Sequence, residues 1–500
     1  MKRISRRDVL KTTAAGGLLC GIGASPWRRR AAAADANSEV RLAIIGLGGI
    51  DIPGSVGGRG RQLIDALRGV PEARIVALCD VDENVLANGV ELLKKDKQTV
   101  TAYADLRRVF DDKNVDAVLV ATPNHWHALA TVWACQAGKD VYVEKPFCHS
   151  IWEGRQAVAA ARQNKRIVQV GTQSRSSQVL PEVFQAIHAG LIGPLRSVHA
   201  LVYRPRPGIG TISSPTRVPR DLDYNLWLGP AKLHGVMRPH LHYQWHWFWE
   251  TGNGEIGNNG PHTIDLARWA LGQDRAPRRV MSIGGRFGKP DGAETANTQI
   301  AIFDYEPAPL ICEVRNLGSR QDGTSGKYRG AGGGLVIDCE GGYCLAEAGG
   351  ATVFDKSGKQ IREFKSEQSS GQMLTDHLAN FVSAVQSQSS ESLRCEAVEG
   401  HLSAICFHAA NVSHRLGALS DPDKIRAATK DHPLASDAFE RCAEHLKLNA
   451  VDLEATPATA GPWLELDVEK QQFTGDFADE ANALSHRQYR KPFIVPDLSA

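Results

Sequence analysis

The sequence VRLAIIGLGG, residues 40–49, joins a near-continuous apolar run to a glycine-rich turn. An apolar run of this kind is typical of a buried strand in a parallel sheet. Glycines directly after such a strand allow a tight turn, and they let a pyrophosphate approach the backbone at the start of a helix. The stretch therefore predicts the first strand and the phosphate loop of a dinucleotide-binding domain.

The glycine pattern of this loop is interrupted. Residues 49–57 contain a proline and several glycines and are not expected to be helical. Removing them would join Gly46-Leu47-Gly48 to Gly58-Arg59-Gly60, which completes a G-x-G-x-x-G motif. We therefore interpret residues 49–57 as an insertion in the phosphate loop. Gly60 is then the expected third glycine, with Gly49 as an alternative close contact.

A second apolar run, residues 75–79, ends in Asp80. An acid at this place can bind the ribose hydroxyls of adenosine, which favours NAD over NADP, although a turn or helix-capping role is the alternative. Strands alternate with helices up to residue 172 and predict a doubly wound parallel sheet over residues 35–172. The further segments are strands at 115–120, 140–143 and 166–170 and helices at 103–111, 128–137 and 151–164.

Polar residues follow two of these strands. Thr122, Pro123, Asn124 and His127 come after the strand at 115–120 and are candidate contacts to a cofactor. His127 has the alternative of being a packed core group.

The tripeptide Glu144-Lys145-Pro146 follows the strand at 140–143. Lys145 could anchor a ribose hydroxyl or donate a proton to a substrate oxygen. The alternative is a surface Glu-Lys pair before a turn proline.

Beyond residue 172 the pattern changes to short strands separated by turns, with few helices between them. Consecutive strands of this kind predict an α+β domain with a mostly antiparallel sheet over residues 173–460, followed by a segment at 461–500 that wraps the surface. The predicted strands lie at 197–203, 279–286, 297–305, 310–316, 334–340 and 343–348, and helices at 376–386 and 396–415 are expected behind the sheets.

Aromatic residues are concentrated before a glycine-rich stretch of this second domain. Trp245, Trp247 and Trp249 alternate, so in a strand they would share one face, which suits a sugar platform or, alternatively, a core or interface. His246 is a further candidate substrate contact. The glycines between residues 252 and 260 argue against regular structure there.

Gly260-Pro261 is expected to open a helix, because a proline in the first turn loses no hydrogen bond. His262 and Asp265 lie three residues apart on one face of that helix. A histidine with a carboxylate one turn away can act as a general base, and the alternative is that both groups satisfy buried partners.

Composition excludes some classes of protein. The 500 residues carry 58 Lys and Arg against 56 Asp and Glu, and the resulting net charge of +2 argues against a dedicated nucleic-acid surface. Ten cysteines are scattered without a Cys-x-x-Cys spacing, so no metal site and mostly reduced thiols are predicted.

The N-terminus resembles a twin-arginine export signal over residues 1–34. Arg6-Arg7 precedes a short apolar run at 14–24 and four alanines at 31–34, and a run of this length is too short to span a membrane. A basic tail is the alternative. Export by the twin-arginine machinery predicts a periplasmic protein whose cofactor is loaded before export and held tightly.

Together, the glycine loop, the Thr122 to His127 turn, Glu144-Lys145-Pro146 and the stretch from Gly252 to Asp265 resemble the Gfo/Idh/MocA oxidoreductase family, in an exported branch. The resemblance implies a Rossmann domain, a C-terminal α/β domain with an open sheet, and a cofactor NAD(H) or NADP(H). It further implies hydride transfer at a carbinol of a sugar, inositol or related polyol, and by analogy a homo-oligomer.

The resemblance also assigns roles within the site. Lys145 matches the lysine of the family motif, and His262 matches its acid/base histidine. Asn258 stands where many members have aspartate. An amide can hold a substrate hydroxyl but cannot relay a proton, so the base role falls to His262 or Lys145, with Asp265 behind His262.

Two other functions stay open at this point. One is a glycoside hydrolase or lyase that oxidises its sugar transiently with bound NAD and uses Tyr203, His246 or Glu250 as the acid. The other is a non-catalytic sugar-binding protein, for which Asn258 and the loop insertion are the arguments.

Overall fold

The computed structural model describes residues 39–49, 57–288, 290–318 and 325–498. The predicted export signal at 1–34 and most of the predicted loop insertion lie outside the described residues. Within the described ranges, no helix is long and apolar enough to cross a membrane.

The first sheet confirms the predicted doubly wound domain. It has six parallel strands in the order β3-β2-β1-β4-β5-β6, so the strand order reverses between β1 and β4. Ligands bind at such a reversal, outside the carboxyl ends of the strands. The elements are β1 Val40–Ile45, α1 Arg59–Leu67, β2 Ala73–Cys79, α2 Glu83–Lys95, β3 Thr101–Tyr103, α3 Leu106–Asp111, β4 Ala117–Val120, α4 Asn124–Gln136, β5 Asp140–Val143, α5 Ile151–Gln163 and β6 Val168–Val170.

The second sheet has twelve strands and is mostly antiparallel, as predicted. Its main path runs β14-β13-β12-β11-β7-β10-β9-β8-β16-β15, and only β7 and β10 pair in parallel along it. The strands are β7 Leu195–Tyr203, β8 Arg279–Gly285, β9 Thr298–Asp304, β10 Leu310–Arg315, β11 Gly334–Cys339, β12 Gly342–Glu347, β13 Gly350–Asp355, β14 Gln360–Lys365, β15 Ala418–Ser420, β16 Ala458–Ala460, β17 Leu464–Asp467 and β18 Gln472–Thr474.

The helices of this second part are more numerous than predicted. They are α6 Leu180–His188, α7 Tyr224–Leu228, α8 Leu241–Gln244, α9 Gly254–Asn258, α10 Gly260–Leu271, α11 Ser370–Ser387, α12 Ala397–Leu416, α13 Pro422–Thr429, α14 Pro433–Leu448 and α15 Ala478–Ser485, with 3-10 helices at Gln173–Ser176 and Trp245–Trp247.

The second sheet is covered on both faces at one end. Along β9, Ala301 and Phe303 join the core cluster that includes residues of α10 and α12, whereas Ile302 joins a separate cluster with Ile425 of α13 and Phe439 of α14. Successive strand residues point to opposite faces, so the two clusters lie on the two sides of the sheet. The sheet face expected to be open is therefore partly covered by the chain's own helices.

Two distant segments complete the first domain. Leu378 and Phe381 of α11 share a core cluster with Leu42 and Ile44 of β1. The C-terminal segment also does more than wrap the surface, because β17 pairs with β8 and Phe493, which is 2% exposed, packs beside the rings of Trp126 and Trp133 of α4.

The nine cysteines of the described chain are all free and buried. Within the same residues there is no group of three or more His, Cys, Asp or Glu side chains that could hold a metal ion.

Candidate active site

A cleft of about 420 Å³ follows the carboxyl edge of the parallel sheet at the strand reversal. One end is bordered by the glycine loop and Asp80. The other is bordered by Lys145, Asn258 and His262, so the cleft brings together the motifs of both domains.

The glycines of the loop allow close backbone crossings. A side chain at Gly48, whose φ is +79°, would place its Cβ 1.6 Å from the carbonyl oxygen of Gly57. A Cβ on Gly60 would lie 2.1 Å from the carbonyl oxygen of Gly46. The chain thus leaves the loop at Gly48 and returns beside it, and Gly60 packs α1 against the end of β1. This agrees with an inserted segment between two halves of one motif.

Two side chains brace this loop. Asp80 accepts the backbone N–H of Leu47 at 2.7 Å, and burial raises its pKa. Arg61, which the sequence analysis missed, donates from Nη1 to the carbonyl of Gly48 at 2.8 Å and from Nη2 to that of Gly49 at 2.6 Å. Arg61 brings a positive charge beside the loop, where a pyrophosphate would bind.

The turn after β4 is shorter than the sequence predicts. α4 begins at Asn124, four residues earlier than predicted, with Pro123 as its N-cap residue. Asn124 donates to Asn253 Oδ1 at 3.1 Å. Thr122 and Pro123 line the cleft, and Thr122 Oγ1 is a buried hydroxyl with no hydrogen-bond partner among the described residues. A hydroxyl of this kind fits a cofactor contact.

His127 joins the two strand-end turns. Its Nδ1 lies 2.6 Å from the carbonyl oxygen of Pro146, and its Nε2 lies 2.8 Å from that of Thr122. Burial lowers the pKa of His127. Although the side chain borders the cleft, both nitrogens face backbone oxygens, which matches the packed core group considered as the alternative.

Glu144 and Lys145 do not form a surface pair. Glu144 is 3% exposed and accepts from Arg59 Nε at 2.6 Å, which ties the start of α1 to the end of β5. Lys145 instead donates from Nζ to the main-chain oxygen of Asn258 at 2.9 Å and to its Oδ1 at 3.3 Å. Burial lowers the pKa of Lys145 to about 8, within reach of acid–base chemistry near neutral pH.

The expected support of His262 by Asp265 is wrong. The carboxylate of Asp265 accepts from Arg175 at 2.8 and 3.0 Å and from Ser403 at 2.8 Å, and it is fully buried. His262 lines the cleft, and its Nδ1 has no hydrogen-bond partner in the part of the chain that the structure describes. Burial, followed by the charge of Lys145, holds the pKa of His262 well below its usual value.

The three tryptophans do not share a face. The segment Trp245–Trp247 is a 3-10 helix, and the alternation would need an extended strand. Trp245 lines the cleft and stacks on the ring of His246, with the centroids 3.6 Å apart. Trp247 packs in a separate cluster with Phe248, and Trp249 borders a second cavity. Of the predicted aromatic platform, Trp245 and His246 reach the site.

Glu255 is a second residue that the sequence analysis missed. It lies in α9, where the glycines had argued against regular structure, and is fully buried. Its carboxylate accepts from Arg206 at 3.1 and 3.3 Å and from Asn258 Nδ2 at 3.3 Å. The negative charge that Asn258 lacks is thus present one turn earlier, and it raises the pKa of Lys145 against the effect of burial.

The remaining cleft contacts come from segments without a recognisable motif. Gln173, Arg204 and Tyr243 all border it. They are brought there by the 3-10 helix after β6, the end of β7 and α8. Their positions depend on tertiary packing.

Comparison with known proteins gives both domains a family. The model of an oxidoreductase family with an NAD-binding Rossmann fold, GFO_IDH_MocA, matches residues 40–172. The model of the C-terminal alpha/beta domain of the same family matches residues 209–314.

Curated relatives match over part of their length. A glycosyl hydrolase family 109 protein of Solibacter usitatus is 32% identical over 166 residues, which is 31% of this chain and 36% of that protein. Inositol 2-dehydrogenase 1 of Saccharopolyspora erythraea is 36% identical over 136 residues, which is 27% of this chain and 39% of that protein. The chain therefore spans under half the length of these relatives.

Among solved structures, the WlbA dehydrogenase from Bordetella pertussis in complex with NADH and UDP-GlcNAcA is similar in fold. Its TM-score is 0.53 at 20% identity, and the match covers 75% of this chain and 97% of that one. With both models matched in the order that the sequence predicts, residues 40–172 and 209–314 belong to the two domain types of the Gfo/Idh/MocA oxidoreductase family.

Proposed function

We propose that this protein is an NAD-dependent oxidoreductase that transfers hydride between nicotinamide and a carbinol of a sugar, inositol or related polyol. The observation that carries the proposal is the position of Lys145, with its Nζ 2.9 Å from the Asn258 carbonyl in a cleft that continues to the glycine loop. The relative named inositol 2-dehydrogenase supports the polyol class.

The residues present fit the cofactor. The glycine loop offers backbone space for a pyrophosphate, Asp80 borders the cleft and is the expected contact of the adenosine ribose, and Thr122 Oγ1 has no hydrogen-bond partner among the described residues. When bound, NAD supplies the acceptor for the hydride. Asp80 supports NAD over NADP.

Lys145 is better suited than His262 to take the hydroxyl proton. A base works best when its pKa lies near the operating pH, and the pKa of Lys145 is about 8 whereas that of His262 is well below 6.5. Neutral Lys145 accepts the proton of the carbinol as the hydride leaves, and in the reverse direction the ammonium returns it. Neutral His262 and the Asn258 amide hold the substrate hydroxyls.

Export and assembly are part of the proposal. The twin-arginine pattern at 1–34 supports a periplasmic protein that carries tightly bound NAD through the export machinery. A homo-oligomer stays a prediction. Its candidate interface is the part of the second sheet's face opposite α10 and α12 that α13 and α14 do not cover.

An NAD-dependent glycoside hydrolase is the second candidate, because one relative carries a hydrolase name. Of its three expected acids, Tyr203 is bound to Glu313 and Glu250 to Arg487, and neither borders the cleft. His246 does, but burial lowers its pKa to about 3, which leaves it unprotonated at neutral pH. These positions favour the oxidoreductase.

Protein purified through its own export route, without added nucleotide, tests these functions. Denaturation followed by nucleotide assay measures bound NAD and NADP, and absorbance of reduced nicotinamide is followed while sugars and polyols are added to intact protein. NAD that is reduced by a polyol, and that stays oxidised in Lys145→Met, is the expected result. Release of an aglycone without net reduction would favour the hydrolase, and absence of nucleotide binding would leave a sugar-binding protein.

A further inference from the structure

A second cavity of about 300 Å³ lies apart from the cleft and shares no lining residue with it. It is bordered by the turn before α5, the last turns of α12 and residues 483–488, which include the end of α15. His149, Trp249 and Arg415 line it. None of these residues has a part in the proposed hydride transfer.

Cationic side chains outnumber carboxylates in the lining of this cavity. Among the described residues that line it, Lys232, Arg415 and Arg487 are cationic and Glu250 is the carboxylate. Glu250 Oε1 is already bound by Arg487 Nη2 at 2.8 Å and by the backbone N–H of Lys232. Two further carboxylates lie outside the lining: Glu294 accepts the backbone N–H of Trp249 at 2.8 Å, and buried Glu153 lies 4.0 Å from Arg487 Nε.

Arg415 is the cation without a directional partner. Its side chain is exposed, its guanidinium lies over the ring of Trp249, 5.3 Å from the centroid, and no hydrogen bond to it occurs within the described ranges. Partial burial lowers its pKa, while Glu294 and Glu250 act in the opposite direction. A guanidinium has five N–H donors arranged to bind a carboxylate or phosphate, so this one is able to take an anion.

His149 adds a neutral donor. It is 9% exposed, and Arg487 Nη1 lies 3.2 Å from its Nδ1. A guanidinium can only donate, so Nδ1 accepts and the proton of the neutral ring is on Nε2. Its Nε2 is buried and has no hydrogen-bond partner of full geometry within the described chain, although the backbone of Gly252 acts on the ring and raises its pKa against the effect of burial. A buried donor without an acceptor costs free energy, which a ligand oxygen would recover.

From these contacts we propose that the cavity binds a small organic anion, whose carboxylate or phosphate group is held by Arg415 with Lys232 and His149 beside it. The remainder of the ligand lies against Trp249. A volume of about 300 Å³ is within the range of pockets that hold small molecules. The ligand is separate from the sugar and nucleotide of the cleft.

Titration calorimetry at low ionic strength tests the proposal on the whole purified protein. The probes are glucuronate, citrate and inorganic phosphate, with glucose as the uncharged comparison. We expect at least one anion to bind with unit stoichiometry and glucose to give no heat at this site. Arg415→Met, which keeps the apolar contact with Trp249, is expected to weaken that binding at least tenfold.

Arg196→Met is the matched control, because it removes one exposed positive charge elsewhere and is expected to leave the affinity unchanged. If Arg415→Met does not fold, Lys232→Met, at an exposed position, gives the same comparison. The proposal is overturned if none of the anions binds, if the two variants bind them equally, or if added NAD displaces the anion. Binding heat needs no turnover, so failure here is distinguishable from failure of the proposed oxidoreductase activity.

Discussion

At the scale of single residues, Lys145 is governed by opposing effects. Burial favours its neutral form, Glu144 and Glu255 favour the charged form, and Arg59 opposes it again. The pKa near 8 is the balance of these effects. The pKa of Lys145 is therefore set by all of these neighbours together. The amide at Asn258, where a carboxylate would raise that pKa further, is one of them.

We expect the rate of polyol oxidation to rise with pH up to about 8 and then to level off. The reason is that neutral Lys145 is the form that accepts the proton, and its fraction increases as pH approaches its pKa. A pH profile of kcat/KM measures this. A rate that falls between pH 6 and 8 would contradict Lys145 as the base.

Asn258→Asp is expected to raise the pKa of Lys145, because a carboxylate replaces the amide oxygen 3.3 Å from Nζ. A shift of about one pH unit would lower the oxidation rate at pH 7 by roughly tenfold. The inflection of the pH profile is the measurement. Asn259→Asp adds the same charge to a side chain without a bond to Lys145, and it should move the inflection less.

Asp265→Asn tests the corrected role of that residue. It removes a fully buried charge that pairs with Arg175, whose side chain is 12% exposed, so we expect a loss of about 3 kcal/mol in the free energy of unfolding, with an unchanged pH profile. Urea unfolding measures the first and kcat/KM the second. Glu399→Gln, whose partly exposed side chain also binds Arg175, should cost less. A shifted profile without loss of stability would restore Asp265 to the catalytic group.

Sequence could identify Lys145, Asn258 and His262 because each falls in a recognisable motif. It could not show that Asp265 turns to Arg175, since that arginine lies 90 residues away in the chain. Nor could it show Glu255 beside Lys145. Contacts of this kind depend on tertiary packing and leave no local pattern.

At the scale of elements, the crossing of α1 and β1 depends on Gly60. Gly60→Ala should weaken NAD binding at least tenfold, because the new Cβ would lie 2.1 Å from the Gly46 carbonyl and would push α1 away. Alanine otherwise favours a helix by about 1 kcal/mol over glycine, so propensity cannot explain a loss. Bound NAD per protein is the measurement. Gly371→Ala, at the start of α11, where the new Cβ would lie 3.8 Å from Ser369 Oγ and meets no clash, should bind normally, and unchanged binding by Gly60→Ala would contradict the packing argument.

Strands were predicted better than the aromatic segment. The six expected strands of the second sheet occur within two residues of their predicted bounds, because apolar runs between turns are strong local signals. The alternation of Trp245, Trp247 and Trp249 imitates a strand but lies in and after a 3-10 helix. In so short a run, the spacing of the tryptophans cannot distinguish a strand from a 3-10 helix.

At the scale of the whole molecule, the C-terminal segment ties the two sheets together. β17 extends the second sheet, and Phe493 inserts beside two tryptophans on the first domain. A boundary read from sequence at 172 or 460 cannot show this, because the contact of Phe493 with α4 joins residues far apart in the chain and leaves no local pattern.

Phe493→Ala should therefore lower the free energy of unfolding by about 3 kcal/mol, since it removes a buried ring and leaves a cavity. Urea unfolding followed by tryptophan fluorescence measures it, with Trp126 and Trp133 as neighbouring probes. Phe477→Ala, at a side chain that is 39% exposed, is the control and should change little. Equal effects from both variants would mean that the tail does not stabilise the first domain.

The burial of all nine cysteines in the described chain would protect them from oxidation in the compartment that the proposed export reaches. Disulfide formation needs exposed thiolates, and burial both hides these thiols and raises their pKa, to about 12 for Cys135. A chain that folds before it leaves a reducing cytoplasm would keep the same covalent structure in oxidising surroundings. Its thiols would then report folding itself, because a thiol reagent reacts with them only when the protein opens.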